Sequence, residues 1–141
     1  MSISFTVLGA PVGKGRPKFS TFGGRPTAYT PQKTVSYENL VRLSYQQQCS
    51  GQMYDKDIQL RVTINAYFPI PSSTTKHKRE LMQSGEIYHT KKPDADNIAK
   101  AVCDALNGVA YYDDSQVCVL KVSKKYSDSP RAEITISEVK Q

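Results

Sequence analysis

Residues 58–68 alternate without a break. Ile58, Leu60, Val62, Ile64, Ala66 and Phe68 fall on one side of an extended chain, and Gln59, Arg61, Thr63, Asn65 and Tyr67 on the other. A period of two is the signature of a β-strand with one dry and one wetter face. Pro69 and Pro71 end it. A dry strand face has to be covered, so the rest of the chain must supply partner strands and a second layer.

The partners are legible. Ile3, Phe5 and Val7 alternate with Ser4 and Thr6, and Ala132, Ile134 and Ile136 alternate with Glu133, Thr135 and Ser137. Residues 117–122 read as a buried strand, and 110–112 as a short one. The covering layer is helical. Thr30-Pro31 has the form of an N-cap followed by proline at the first helical position. Tyr37, Leu40, Val41, Ser44 and Tyr45 then keep helical spacing until Gly51. A second main helix is expected over residues 94–107, stopped by Gly108, with Ile98, Ala101, Val102, Ala105 and Leu106 as its apolar face. A short basic helix fits within 72–85, and an extended connection over 87–93. No internal repeat or linker divides the chain. The expectation is one small domain over residues 1–141, of the α/β (α+β) class: a mixed β-sheet packed with two or three helices.

Residues 9–31 carry Gly9, Gly13, Gly15, Gly23 and Gly24 and prolines 11, 17, 26 and 31. That density predicts a loop without regular structure. Gly9-x-x-x-Gly13-Lys14-Gly15 is one residue short of a Walker A loop, and glycine stands where Ser or Thr would hold Mg²⁺. No nucleotide cofactor is expected. The loop's cations, Lys14, Arg16, Lys18 and Arg25, suit a phosphate backbone. The balance of the chain agrees: 19 Lys and Arg against 13 Asp and Glu give a net charge of +6, which favours a polyanionic partner.

Cys49, Cys103 and Cys118 are odd in number and widely spaced, and His77 and His89 have no ligand spacing. Neither a disulfide framework nor a zinc site is indicated. With no signal peptide or membrane span legible in the sequence, the expected setting is cytoplasmic, with reduced thiols that serve packing. A metal here would be held by oxygen, which points to Mg²⁺, with Mn²⁺ as the alternative.

The oxygen ligands are concentrated in KKPDADNIAKAVCDALNGVAYYDDSQV. Asp94 and Asp96 stand where the second helix begins, Lys100 lies one turn after Asp96, and Asp113-Asp114 follow the turn at Gly108. A strand returning beside the helix would carry one of that pair back toward the helix start. Carboxylates from two elements can clamp a metal that neutralises charge on a phosphodiester and supplies a nucleophilic water, with a lysine for the leaving oxygen. The same residues have a plainer reading. Asp favours helix N-caps and first turns, and Asp113-Asp114-Ser115 is a common turn composition.

This segment resembles the RusA family of Holliday junction resolvases, through Asp94-x-Asp96-Asn97-x-x-Lys100, Asp104-Ala105-Leu106 and Asp113-Asp114-x-Gln116-Val117. The likeness is close over the C-terminal third and general before it. It implies a small homodimeric, often prophage-encoded endonuclease that binds four-way DNA junctions. Such enzymes make paired nicks with Mg²⁺ during recombination and repair. It implies metal-binding carboxylates at Asp94, Asp96 and Asp114, and a catalytic lysine at Lys100. Asn97, Asp104 and Asp113 match the pattern in supporting roles. Many family members carry an arginine run before the first Asp; this chain has Lys91-Lys92-Pro93, which keeps charge but gives up bidentate phosphate recognition. Lys91 and Lys92 therefore join the loop cations as expected DNA contacts. Two other functions fit the same fold: a DNA-binding protein without catalysis, and a less selective nuclease of flaps and other branched DNA.

Two further features have two readings each. Lys76 to Arg79 form a basic run that suits either an exposed helix face or DNA contact. Most of the nine tyrosines are expected in the core, with Tyr111 or Tyr112 as the alternative of a wedge at a junction centre.

Overall fold

The alternating run lies inside the sheet. In the computed structural model, which describes residues 1–140, it forms β4 (Leu60–Phe68), flanked on both sides. The strand order is β1-β6-β4-β5, with β1 (Ser2–Leu8), β5 (Val117–Tyr126) and β6 (Arg131–Glu138). β6 runs antiparallel to both β1 and β4, whereas β5 is parallel to β4, so the sheet is mixed. Gln141, the last residue of the expected domain, lies outside the described residues.

Register follows from the dry faces. Ile3 pairs with Ile136, which pairs with Val62; Phe5, Ile134 and Ile64 form the next row, and Val7, Ala132 and Ala66 the third. All nine side chains are buried. A slip of one residue would turn each of them to the wet side, and burying one Val, Ile or Phe is worth about 1.5–3 kcal/mol. Register is therefore strongly specified.

Two helices cover this face: α1 (Gln32–Cys49) and α3 (Ala95–Leu106). They pack on each other, α1 on β1 and α3 on β5. From α1 come Tyr37, Val41 and Tyr45, the last edge-on to Phe5 at 5.2 Å; from α3 come all five expected apolar residues. Leu40, expected with the α1 face, is instead exposed. The short basic helix is α2 (Lys76–Gln83). None of the described helices is long and apolar enough to cross a membrane.

Three expectations are corrected. The glycine-rich segment contains a small antiparallel hairpin, β2 (Lys18–Ser20) with β3 (Thr27–Tyr29), closed through left-handed Gly23 and Gly24. Residues 110–112 are not a strand but a turn with one bridge, Asn107 to Tyr111. Helix-like bonds from the Val109 and Ala110 N–H groups to the Leu106 carbonyl keep the chain curled there. β5 is not a buried strand in its first half: it has a neighbour on one side only, and Val119 and Leu120 are 37% and 48% exposed. All three cysteines are free; Cys49 and Cys103 are buried and Cys118 is exposed.

Candidate active site

Parallel strands need a crossover. Between β4 and β5 the chain supplies α2 and α3, and both ends of α3 carry candidate residues. At its start Asp94 occupies the N-cap position, and its main-chain carbonyl accepts from the Asn97 and Ile98 N–H groups, both at 3.1 Å. The Asp94 side chain makes no capping hydrogen bond. Capping by its side chain therefore does not account for this carboxylate, which is exposed. Asp96, in the first turn, and Lys100, one turn on, are also exposed.

Asp114 arrives at the other end. Its N–H donates to Asn107 Oδ1 at 2.7 Å, and its carboxyl lies beside that of Asp104. Along the helix axis Asp96 and Asp104 are separated by about 12 Å, at ~1.5 Å per residue. The structure thus brings Asp114 to Asp104 at the last turns of α3, and not to the first turn as the returning-strand argument expected. The reason is the connection: the curled backbone and the Asn107 side chain catch residue 114 before it can run back. Among the described residues, no three His, Cys, Asp or Glu side chains form a ready-made metal cluster.

Asp113 has a structural task. Gln116 Oε1 accepts from the Tyr112 and Asp113 N–H groups, and the Ser115 hydroxyl donates to the Asp113 carboxylate. The turn is thereby fixed with Asp114 facing α3. Burial raises the Asp114 carboxyl above its ordinary value; a hydrogen bond with Asn107 opposes this, and the charges of Asp113 and Asp104 add to it. A hard cation beside Asp114 would offset this raising. Asp94 and Asp96 stand at the other end of α3, so the candidate oxygen donors form two separate pairs, each of a kind that suits Mg²⁺ or Mn²⁺.

Lys14 is placed differently from a DNA contact. Its Nζ lies 2.8 Å from Glu38 of α1 and 3.2 Å from Asp104 of α3. Burial works to lower its pKa, but the hydrogen bonds and charges of Glu38 and Asp104 outweigh it and raise the value. Its backbone N–H donates to the Asn97 carbonyl at 2.8 Å. The flanking glycines permit this approach. A Cβ on Gly13 would sit 2.7 Å from Pro93 Cβ, and one on Gly15 would sit 3.0 Å from Pro31 and 3.2 Å from the Thr34 hydroxyl. Gly15 N–H donates to that hydroxyl at 3.0 Å. The loop is pinned to the first turns of both helices, and beyond the pin Arg16, Lys18 and Arg25 are exposed, as are Lys91 and Lys92.

Other sequence candidates separate. Tyr111 is fully buried, donating to the Cys103 carbonyl at 2.8 Å. Tyr112 is half exposed, with the Lys56 ammonium 5.3 Å from its ring centre. Arg79 pairs with Asp128 at 3.0 Å, while Lys76, His77 and Lys78 are exposed. His89 stacks on Phe68 at 3.9 Å, and burial, with Lys124 and Lys91 nearby, lowers its pKa. The N-cap of α1 is Pro31 and not Thr30 as expected, because the helix begins one residue later, at Gln32. Sequence reasoning missed Lys33 in its first turn, which lines a groove beside Asp94 and carries no distinguishing sequence pattern.

Residues 9–137 match the family model described as Endodeoxyribonuclease RusA. Over 137 residues, 97% of this chain and 96% of the relative, the sequence is 40% identical to YqaN of Bacillus subtilis (strain 168), described as an uncharacterized protein. It is 31% identical over 87 residues to the crossover junction endodeoxyribonuclease rusA of Lactococcus phage r1t, covering 61% of this chain and 60% of that one.

Proposed function

Because the chain belongs to the RusA family of endodeoxyribonucleases, we propose that it resolves four-way (Holliday) DNA junctions by paired nicks. The reaction we assign depends on Mg²⁺, with Mn²⁺ as a substitute, and takes place in the cytoplasm during recombination and repair. A junction has two-fold symmetry and needs two cuts, so the acting species is a homodimer with one site per subunit. The observation that carries the catalytic reading is Asp94, an N-cap carboxylate that does no capping.

Asp114 joins the metal assignment by the family pattern rather than by proximity, since it lies beside Asp104 at the last turns of α3; we assign the metal itself to Asp94 and Asp96 at the start of that helix. Bound there, a divalent cation lowers the pKa of a water and offsets charge on the scissile phosphate. Lys100, exposed one turn beyond Asp96, neutralises the leaving oxygen. Asp104 and Asn97 support the site: Asp104 takes the Lys14 ammonium, and the Asn97 carbonyl takes the Lys14 N–H. Arg16, Lys18, Arg25, Lys91 and Lys92 meet the phosphate backbone. Lys14 contributes by holding the loop that presents Arg16.

The test compares a synthetic four-way junction with a fork, a flap and linear duplex, each with Mg²⁺ and with EDTA. Paired nicks in the junction alone, only with metal, are expected. Equal cutting of the fork and flap would replace junction resolution by general branched-DNA cleavage, and binding without cutting would leave a DNA-binding protein.

A further inference from the structure

Beside Asp94 lies a groove of about 410 Å³ between the glycine-rich loop and the starts of α1 and α3. Its walls are apolar, formed by Pro11, Val12, Pro31 and Pro93, and Lys33 and Lys92 stand on its lining. Both lysines are exposed, and no ion pair among the described residues engages either one. Within the lining the Thr34 hydroxyl oxygen accepts from Gly15 N–H and the Asn97 main-chain carbonyl from Lys14 N–H. Of the lining cations Lys14 is already paired, so an anionic group would be met by Lys33 and Lys92 and an apolar one by the prolines, with Asp94 and Asn97 completing the polar lining.

From this arrangement we propose that the groove binds one deoxyribose-phosphate unit of the strand being cut, adjoining the scissile phosphate. The inference rests on the nuclease reading above and names a subsite for it. Size decides against a lone anion. A water's share of liquid volume is about 30 Å³, so an inorganic ion would leave most of the groove empty, whereas clefts for small organic ligands begin at roughly 300 Å³. Charge decides against a neutral apolar ligand, since two unpaired ammonium groups would face it. The sugar lies against the prolines, the phosphate reaches Lys33 and Lys92, and the chain continues past Asp94 toward Asp96. Gly13 keeps the loop in place against Pro93, because any side chain there would displace the proline.

The experiment places a single neutral methylphosphonate at successive positions of one junction strand and measures binding in EDTA by fluorescence anisotropy. Wild type, Lys33→Ala, Lys92→Ala and, as a charge control just past β6 and outside the groove lining, Lys140→Ala are compared. For wild type, affinity should fall about fivefold at one position next to the nick. Lys33→Ala and Lys92→Ala should each bind the all-phosphate junction about fivefold more weakly and show no further loss at that position. Lys140→Ala should behave as wild type. A loss that persists unchanged in both variants, or no position-specific loss in wild type, overturns the groove assignment and leaves the nuclease reading standing. If wild type neither binds nor cuts any branched DNA, both fall together. All three lysines are exposed, so the variants are expected to melt like wild type.

Discussion

Lys14 Nζ lies 3.2 Å from Asp104 Oδ2 and ties the glycine-rich loop to the last turns of α3. With Glu38 at 2.8 Å on its other side, this ammonium is neutralised before any DNA arrives. Lys14→Ala should therefore destabilise the fold, by about 1–3 kcal/mol for charge-assisted bonds lost at partly buried sites, read as a lower melting temperature. The log–log salt slope of junction binding should barely move. Arg16→Ala should show the opposite: an unchanged melt and a slope flattened by about 0.9. A slope change at Lys14 as large as that at Arg16 would place Lys14 on the DNA.

Asp96→Asn tests the metal site. Asn keeps the size of the side chain at an exposed first-turn position, so the protein should melt as wild type. It gives up a carboxylate that the catalytic reading assigns to the cation. If the metal lowers the barrier by roughly 4 kcal/mol, cleavage falls about a thousandfold, while binding in EDTA stays equal or rises because repulsion toward phosphate is removed. Cleavage within tenfold of wild type would remove Asp96 from the site.

Asp114 should give stability an unusual pH dependence in the absence of metal. Its carboxyl is raised, chiefly by burial, so the folded chain holds that proton more tightly than the unfolded chain. Its contribution is then most favourable at low pH and declines as pH climbs from the ordinary carboxylate value through the raised one. Asp114→Asn removes this decline. In EDTA at pH 7 the variant should melt at or above wild type, with the difference shrinking below pH 4, and added Mg²⁺ should stabilise only wild type. A variant less stable than wild type at neutral pH in EDTA would contradict the assigned sign.

The two adjacent tyrosines should separate by assay. Tyr111→Phe leaves the buried Cys103 carbonyl without its donor and should cost about 1 kcal/mol with junction affinity unchanged. Tyr112→Ala removes a half-exposed ring and should leave stability within about 0.5 kcal/mol. Any wedge role falls to Tyr112, and a junction-binding defect in Tyr111→Phe at intact stability would reverse that.

The strands and main helices were legible because Ile3, Val62 and Ile134 report burial through local period. The hairpin was not, since Lys18, Phe19 and Ser20 are too few and too exposed to alternate visibly. The catalytic candidates were legible as residue types at a spacing, but their spatial grouping was not. Asp104 meets Lys14 across 90 positions of sequence, and only the packing of α1 against α3 makes them neighbours. The grouping of Asp114 with Asp104 depended on Asn107, whose catch on residue 114 is a single side-chain bond without a pattern of its own. Tyr54 shows the same limit: it is buried, with its hydroxyl on the Met1 and Ile136 carbonyls, in a stretch that reads as loop.

Both stems of the β2–β3 hairpin return to one place. Gly15 is bonded to Thr34, and Pro31 leads directly into α1, where its carbonyl accepts from Val35. The main sheet shares no ladder with the hairpin. Residues 16–30 therefore form a finger on a closed base. Its length and charge can be altered, or the whole segment exchanged for another, without re-registering any strand or moving the helix that carries the carboxylates. On the function proposed above, how much DNA the finger would contact is thus set independently of where the carboxylates would cut.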